Sequence, residues 1–111
     1  MRVVFLNALP LNALPDHCVV EIEKADVEQV KWYIERASEL ASFIRHESTV
    51  RAVNELFGLS LEPGSGLYKY RKGDVIVVVS LRRPARGAEV EARPEDLDFY
   101  LVYVADDDEL P

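Results

Sequence analysis

Cys18 is the only cysteine in the 111 residues, which rules out an internal disulfide and suits a reducing compartment. With just two histidines, His17 and His46, well separated from each other, the chain has no ligand spacing for a structural metal, and no metal or cofactor is expected. Beside Val19 and Val20, Cys18 reads as a buried strand thiol rather than a nucleophile. No run of about 18 apolar residues occurs, so a helical membrane span is not expected. The opening Met1–Asn7 lacks the long apolar region and small-residue cleavage site of a secretory leader. Basic residues are the minority, with 13 Lys and Arg against 20 Asp and Glu and a net charge of −7. That balance disfavours duplex DNA or RNA as a general partner, because neutralising phosphates needs a basic surface.

What is present points to one domain with a real core: 49% of residues are apolar and 30% charged. The charge is unevenly spread. Residues 45–86 carry eight basic side chains (Arg45, Arg51, Lys69, Arg71, Lys72, Arg82, Arg83, Arg86) against four acidic ones, whereas 87–111 carry one basic against nine acidic. A cationic centre in an acidic protein suits a small anionic ligand better than a long polyanion. A solvated basic face with helical ion pairs accounts for the same composition.

Val3–Leu6 reads as a short buried strand, ended by the loop Asn7–Pro15, whose Pro10 and Pro15 bar a central strand. That loop repeats Asn-Ala-Leu-Pro and is expected to set Asn7 and Asn12 on one side. Cys18–Glu23 resumes a strand. Asp26 with Gln29 three residues on forms a capping box, and Val27, Val30, Ile34, Ala37, Ala41 and Ile44 make one helical stripe widened by Trp32, Tyr33 and Leu40. Trp32 and Tyr33 are read as core or interface residues. A second helix starts near Ser48 or Thr49, shows Val50, Val53 and Phe57, and stops at Gly58. Leu67–Tyr70 and Val75–Leu81 read as a β-hairpin around Arg71–Asp74, the second strand central and buried on both faces. Asp98–Val104 supplies the last strand. The expected fold is α+β: about five strands in a mixed sheet, covered on one side by two helices. A single domain over 1–104 is followed by an acidic tail, 105–111. Tyr68, Tyr70, Tyr100 and Tyr103 either line a dimer interface, where aromatics are enriched, or pack beneath the helices.

Chemistry is concentrated around His46, placed among polar neighbours where the second helix begins. Histidine exchanges a proton near neutral pH, and a helix N-terminus offers free N–H groups to an anion. Ser48 and Thr49 add hydroxyls. Arg83 and Arg86 lie on a Pro- and Gly-shaped turn at the end of a rigid strand, suited to holding a guanidinium fork against phosphate. Together these are the parts for metal-free cleavage of an RNA phosphodiester. The 2′-hydroxyl attacks phosphorus, cations stabilise the developing charge, and an acid protonates the departing 5′-oxygen. Taken singly, His46 also fits a capping or packing residue, and the arginines fit surface charge.

Phe5-Leu6-Asn7-Ala8 with Asn12-Ala13-Leu14, then Ile44-Arg45-His46-Glu47-Ser48-Thr49, then Gly73-Asp74, then Arg83 to Gly87, occur in an order that resembles the small viral type III anti-CRISPR ring nucleases and their bacterial and CRISPR-associated relatives. The resemblance spans roughly residues 3–104, and its most specific part is His46-x-Ser48-Thr49. It implies a cytoplasmic homodimer that cuts cyclic oligoadenylate, above all cyclic tetra-adenylate, without metal into linear products ending in 2′,3′-cyclic phosphate. In a virus, that would be the host cytoplasm. By the same resemblance His46 is the catalytic acid, Arg83 contacts the reacting phosphate, and Asn7, Asn12 and Ser48 line the pocket. The chain departs from the family pattern at Arg45, where glycine is usual, at Pro10, at Ser65 and at Arg86, where an acidic residue is usual. Arg45 and Arg86 would keep such a pocket cationic, and the departures mark a divergent member. A binding protein that sequesters the ring without cutting it, or a regulatory or structural dimer, are the alternatives.

Overall fold

A computed structural model describes residues 1–82 and 92–106. Five strands form one mixed sheet: β1 (Arg2–Leu6), β2 (Cys18–Ala25), β3 (Glu39–Ser42), β4 (Val75–Leu81) and β5 (Leu97–Asp106), in the spatial order β2-β5-β4-β1-β3. β1 pairs in parallel with both β4 and β3, while β5 runs antiparallel to β4 and β2. Four strands therefore run one way and β5 the other. Two helices, α1 (Val27–Arg36) and α2 (Glu47–Phe57), cover one face.

The pattern of side chains explains the layering. Strand residues alternate between faces. Val3, Phe5, Val75, Val77, Val79, Phe99 and Leu101 meet Val30, Val50 and Val53 of the helices. Val4, Leu6, Ile76, Val102 and Val104 point the other way and pack under Leu9, Ala13 and Leu14 of the 7–17 loop and under Tyr68 and Tyr70. The Val/Ile run of β4 is apolar on both faces because both faces are covered, as expected of a central strand. Asp26 caps α1 with the full reciprocal box, its carboxylate accepting from Gln29 N–H at 2.8 Å. α2 ends at Gly58, whose φ of +67° closes the helix in the left-handed conformation glycine tolerates.

Three expectations are corrected. The helical stripe does not run to Ile44: α1 stops at Arg36, and Glu39–Ser42 forms β3, parallel to β1 with Arg2 opposite Glu39 and Phe5 opposite Ser42. Leu67–Tyr70 is no strand, so there is no hairpin with β4. The Tyr70 N–H donates instead to Ala13 O at 2.8 Å, and Tyr68 is buried against the face away from the helices, which removes it from any dimer surface. The last strand continues through Asp106, opposite Cys18, two residues into the segment read as tail. Of the other aromatics, Tyr103 lies beneath α1 with its hydroxyl 2.8 Å from that of Tyr33. Trp32 is half exposed and stacks on the Arg36 guanidinium at 3.9 Å. Cys18 is half-buried in β2. Among the described residues no helix is long and apolar enough to cross a membrane.

Candidate functional site

Parallel strands deliver their carboxyl ends to one edge of a sheet, where open α/β sheets bind ligands. Here β4, β1 and β3 are neighbours in that order, and their ends are Leu81, Leu6 and Ser42. Asn7 follows β1 directly and is exposed, with Arg82 beyond β4 on one side and Phe43–His46 beyond β3 on the other. Strands lie about 4.8 Å apart, and β1 and β3 end in register, Phe5 opposite Ser42, whereas β4 runs on past Val78, the partner of Leu6, for three residues to Leu81, about 10 Å further along the strand.

The β3 exit is held firmly. Phe43 N–H donates to Phe5 O at 2.9 Å, continuing the β1–β3 pairing, and Ile44 is fully buried. From that anchor Arg45, His46 and Glu47 emerge exposed. His46 is the N-cap of α2 with extended backbone, and its ring makes no capping bond, so the imidazole is not consumed in closing the helix. The only helical bond it supplies is from its carbonyl, which accepts from Val50 N–H at 3.1 Å. Ser48 is half-buried in the first turn. Thr49 is buried at 5% exposure, on the inner face of α2 with Val50 and Val53, so the hydroxyl this turn offers to solvent is that of Ser48.

Other expected site residues are distributed differently. Asn12 is exposed but lies away from Asn7, because the loop after β1 must return to the opposite sheet edge, where β2 begins at Cys18. On that descent the Asn12 carbonyl accepts from Lys69 Nζ at 2.9 Å, a cation that sequence spacing did not associate with it. Arg83 and Arg86 lie outside the described residues. Arg82, just before them, is tied down: its N–H donates to Asp96 O at 2.7 Å and its guanidinium to Asp98 Oδ1 at 3.0 Å. The guanidinium bonds from Arg82 hold the Asp98 carboxyl below its ordinary pKa.

Gly73-Asp74 belongs to the other end of the sheet and to folding. The Asp74 carboxylate accepts from Arg2 Nε at 2.9 Å, Arg2 Nη2 at 2.6 Å, the Tyr68 hydroxyl at 2.7 Å and Arg71 N–H at 3.0 Å. Burial pushes that carboxyl up, but the bonds from Arg2, Tyr68 and Arg71 outweigh it and leave it below the usual range. Burial, followed by the Asp74 bond, pushes the Tyr68 hydroxyl far above its ordinary value, so it stays a donor.

Among the described residues, cavities open elsewhere. One of about 450 Å³ is lined by Glu23, Asp26, Trp32, Tyr33 and Tyr103, and one of about 530 Å³ by Val27, Leu56, Arg82, Pro94 and Asp98. Neither includes His46, and the carboxylates of the first disfavour a phosphate. Among the described residues no three His, Cys, Asp or Glu side chains gather as a metal site.

No match was found among curated proteins. Among solved structures, B116 of Sulfolobus turreted icosahedral virus superposes with a TM-score of 0.73 at 22% identity, covering 93% of this chain and 99% of that one. At that identity the likeness is one of fold. A family model described as STIV B116-like matches residues 3–99, and the chain belongs to that viral protein family.

Proposed function

We propose that the protein is a metal-independent ring nuclease. It opens cyclic oligoadenylate, cyclic tetra-adenylate first among the rings, and so switches off type III CRISPR signalling in the cytoplasm of the host cell. The observation that carries this reading is an exposed imidazole that the helix it caps does not use, held just beyond the paired ends of β1 and β3. The ribose 2′-oxygen attacks the neighbouring phosphorus and the bond to the 5′-oxygen breaks, leaving a 2′,3′-cyclic phosphate and a 5′-hydroxyl. His46, protonated, gives its proton to the departing 5′-oxygen. The proton of the attacking hydroxyl passes to water, and in-line placement of that hydroxyl supplies much of the rate. Arg83 stabilises the phosphorane charge, with Arg45 and Arg86 as further cations, while Asn7 and Ser48 orient the ring. A twofold homodimer presents two such histidines to a ring whose phosphates are themselves symmetric.

Incubation with cyclic tri-, tetra- and hexa-adenylate in EDTA, with products resolved by mass spectrometry, tests the reading. Linear fragments ending in 2′,3′-cyclic phosphate are expected, and His46→Ala should abolish most cleavage while ring binding survives. Unchanged turnover in that variant, or intact rings at stoichiometric protein, would sink the assignment. Tight binding of uncut ring would make the protein a sponge instead.

A further inference from the structure

We propose that Gly64 is a positioning residue for His46, a role that rests on the reading of His46 as the general acid. Leu59 and Leu61 pack with the helix-side core, whereas Tyr68 packs on the opposite face. The segment between them therefore passes from one face of the sheet to the other, and it does so at the β3 exit. Gly64 is the point of closest approach. Its N–H donates to Ile44 O at 2.8 Å, two residues before His46. A Cβ on Gly64 would stand 2.4 Å from the Cα of Phe43 and 2.6 Å from the Ser42 carbonyl oxygen. Both are backbone atoms that cannot rotate away, so a side chain at 64 forces the backbone of residues 42–44, or that around residue 64 which is bonded to Ile44, to shift.

The crossing is fastened at its other end. Asn54 of α2 donates from Nδ2 to Leu61 O at 2.9 Å and accepts from Leu61 N–H at 2.8 Å. The turn that carries the imidazole is thus clamped between the β1 pairing at Phe43 and the Gly64 contact at Ile44. Reacting groups need placement to within a fraction of an ångström, and a shift of about 1 Å costs up to about a hundredfold in rate. Moving 42–44 to admit a methyl group is a displacement of that order, transmitted to His46 through two residues of extended chain. Gly66 is the matched control, since a Cβ there meets nothing within 4 Å.

The test compares wild type, Gly64→Ala and Gly66→Ala by circular dichroism, by affinity for cyclic tetra-adenylate, by single-turnover cleavage and by the NMR resonances of the His46 imidazole. The expected result is a folded Gly64→Ala protein whose ring affinity stays within about threefold of wild type while cleavage falls at least about tenfold. Its His46 resonances should move and those of Gly66→Ala should not. Wild-type cleavage with unmoved His46 resonances in Gly64→Ala overturns the proposal. If the wild-type protein cuts no ring, the nuclease reading fails on its own, and the imidazole resonances alone then decide whether Gly64 sets the place of His46. Should Gly64→Ala not fold, Asn54→Ala releases the same segment without inserting an atom and is judged by the same two readouts.

Discussion

Asp74→Ala removes the acceptor on which Arg2, Tyr68 and the Arg71 N–H converge. The Asp74 side chain is 3% exposed and that of Arg2 12%, so water does not replace what is lost. Breaking a buried pair while leaving its partner charged costs about 3–5 kcal/mol, a large part of the roughly 5–15 kcal/mol that holds a domain folded. With a urea dependence of about 2 kcal/mol per molar, a cost near 4 kcal/mol moves the unfolding midpoint by roughly 2 M. The Asp74 carboxyl titrates lower in the folded protein than in the unfolded chain. Its contribution is therefore complete above the unfolded value of about 4 and is lost as pH falls through the folded value. The gap between wild type and variant should be full at neutral pH and close in acid. A midpoint shift below about 0.5 M, the scale of an exposed ion pair, would refute the buried-hub argument. A gap that persists unchanged into strong acid would show that charge is not its source.

Other perturbations separate folding from chemistry. Asp26→Ala removes the side-chain half of the α1 capping box, the bond that Gln29 N–H donates, and should cost about 1 kcal/mol, lowering the thermal midpoint by about 4 °C with no effect on ring cleavage, because α1 starts at the sheet edge opposite β3. Gly58→Ala forces a side chain into a φ of +67° and should cost about 1 kcal/mol in the same assay; an unchanged midpoint would contradict the closure assigned to α2. Ser48→Ala should weaken binding of cyclic tetra-adenylate by up to about tenfold with stability retained. Thr49→Ser should do the reverse, losing about 0.8 kcal/mol of stability with binding unmoved, since Thr49 is buried.

Local pattern was enough for much of the fold. The alternating or continuous apolar runs at 3–6, 18–23, 75–81 and 98–104 mark four strands, Asp26 with Gln29 marks the start of α1, and Gly58 the end of α2, because each of these signals is written within a few residues of where it acts. His46 before α2 was legible for the same reason. β3 was not. Leu40, Ala41 and Ile44 continue the helical spacing of Val30, Ile34 and Ala37, and only pairing with β1, some 37 residues earlier, makes Glu39–Ser42 a strand. Leu67–Tyr70 shows the converse: Tyr68 and Tyr70 alternate as strand residues do and both turn inward, yet their polar groups bond to Asp74, to Ala13 and, through the Tyr70 hydroxyl, to Val104 of β5, without pairing as a strand. The site divides in the same way. Sequence alone named His46 as the candidate proton donor with Ser48, Thr49, Arg83 and Arg86 as its companions, and the family resemblance added Asn7 and Asn12. Tertiary structure decided that β1 and β3 end in register while β4 runs on past them, that Thr49 faces the core, that the Asn12 carbonyl meets Lys69, and that Gly64 lies against the Ser42–Phe43 backbone. Each of those facts depends on atoms far apart along the chain meeting in space, and no local period carries that information.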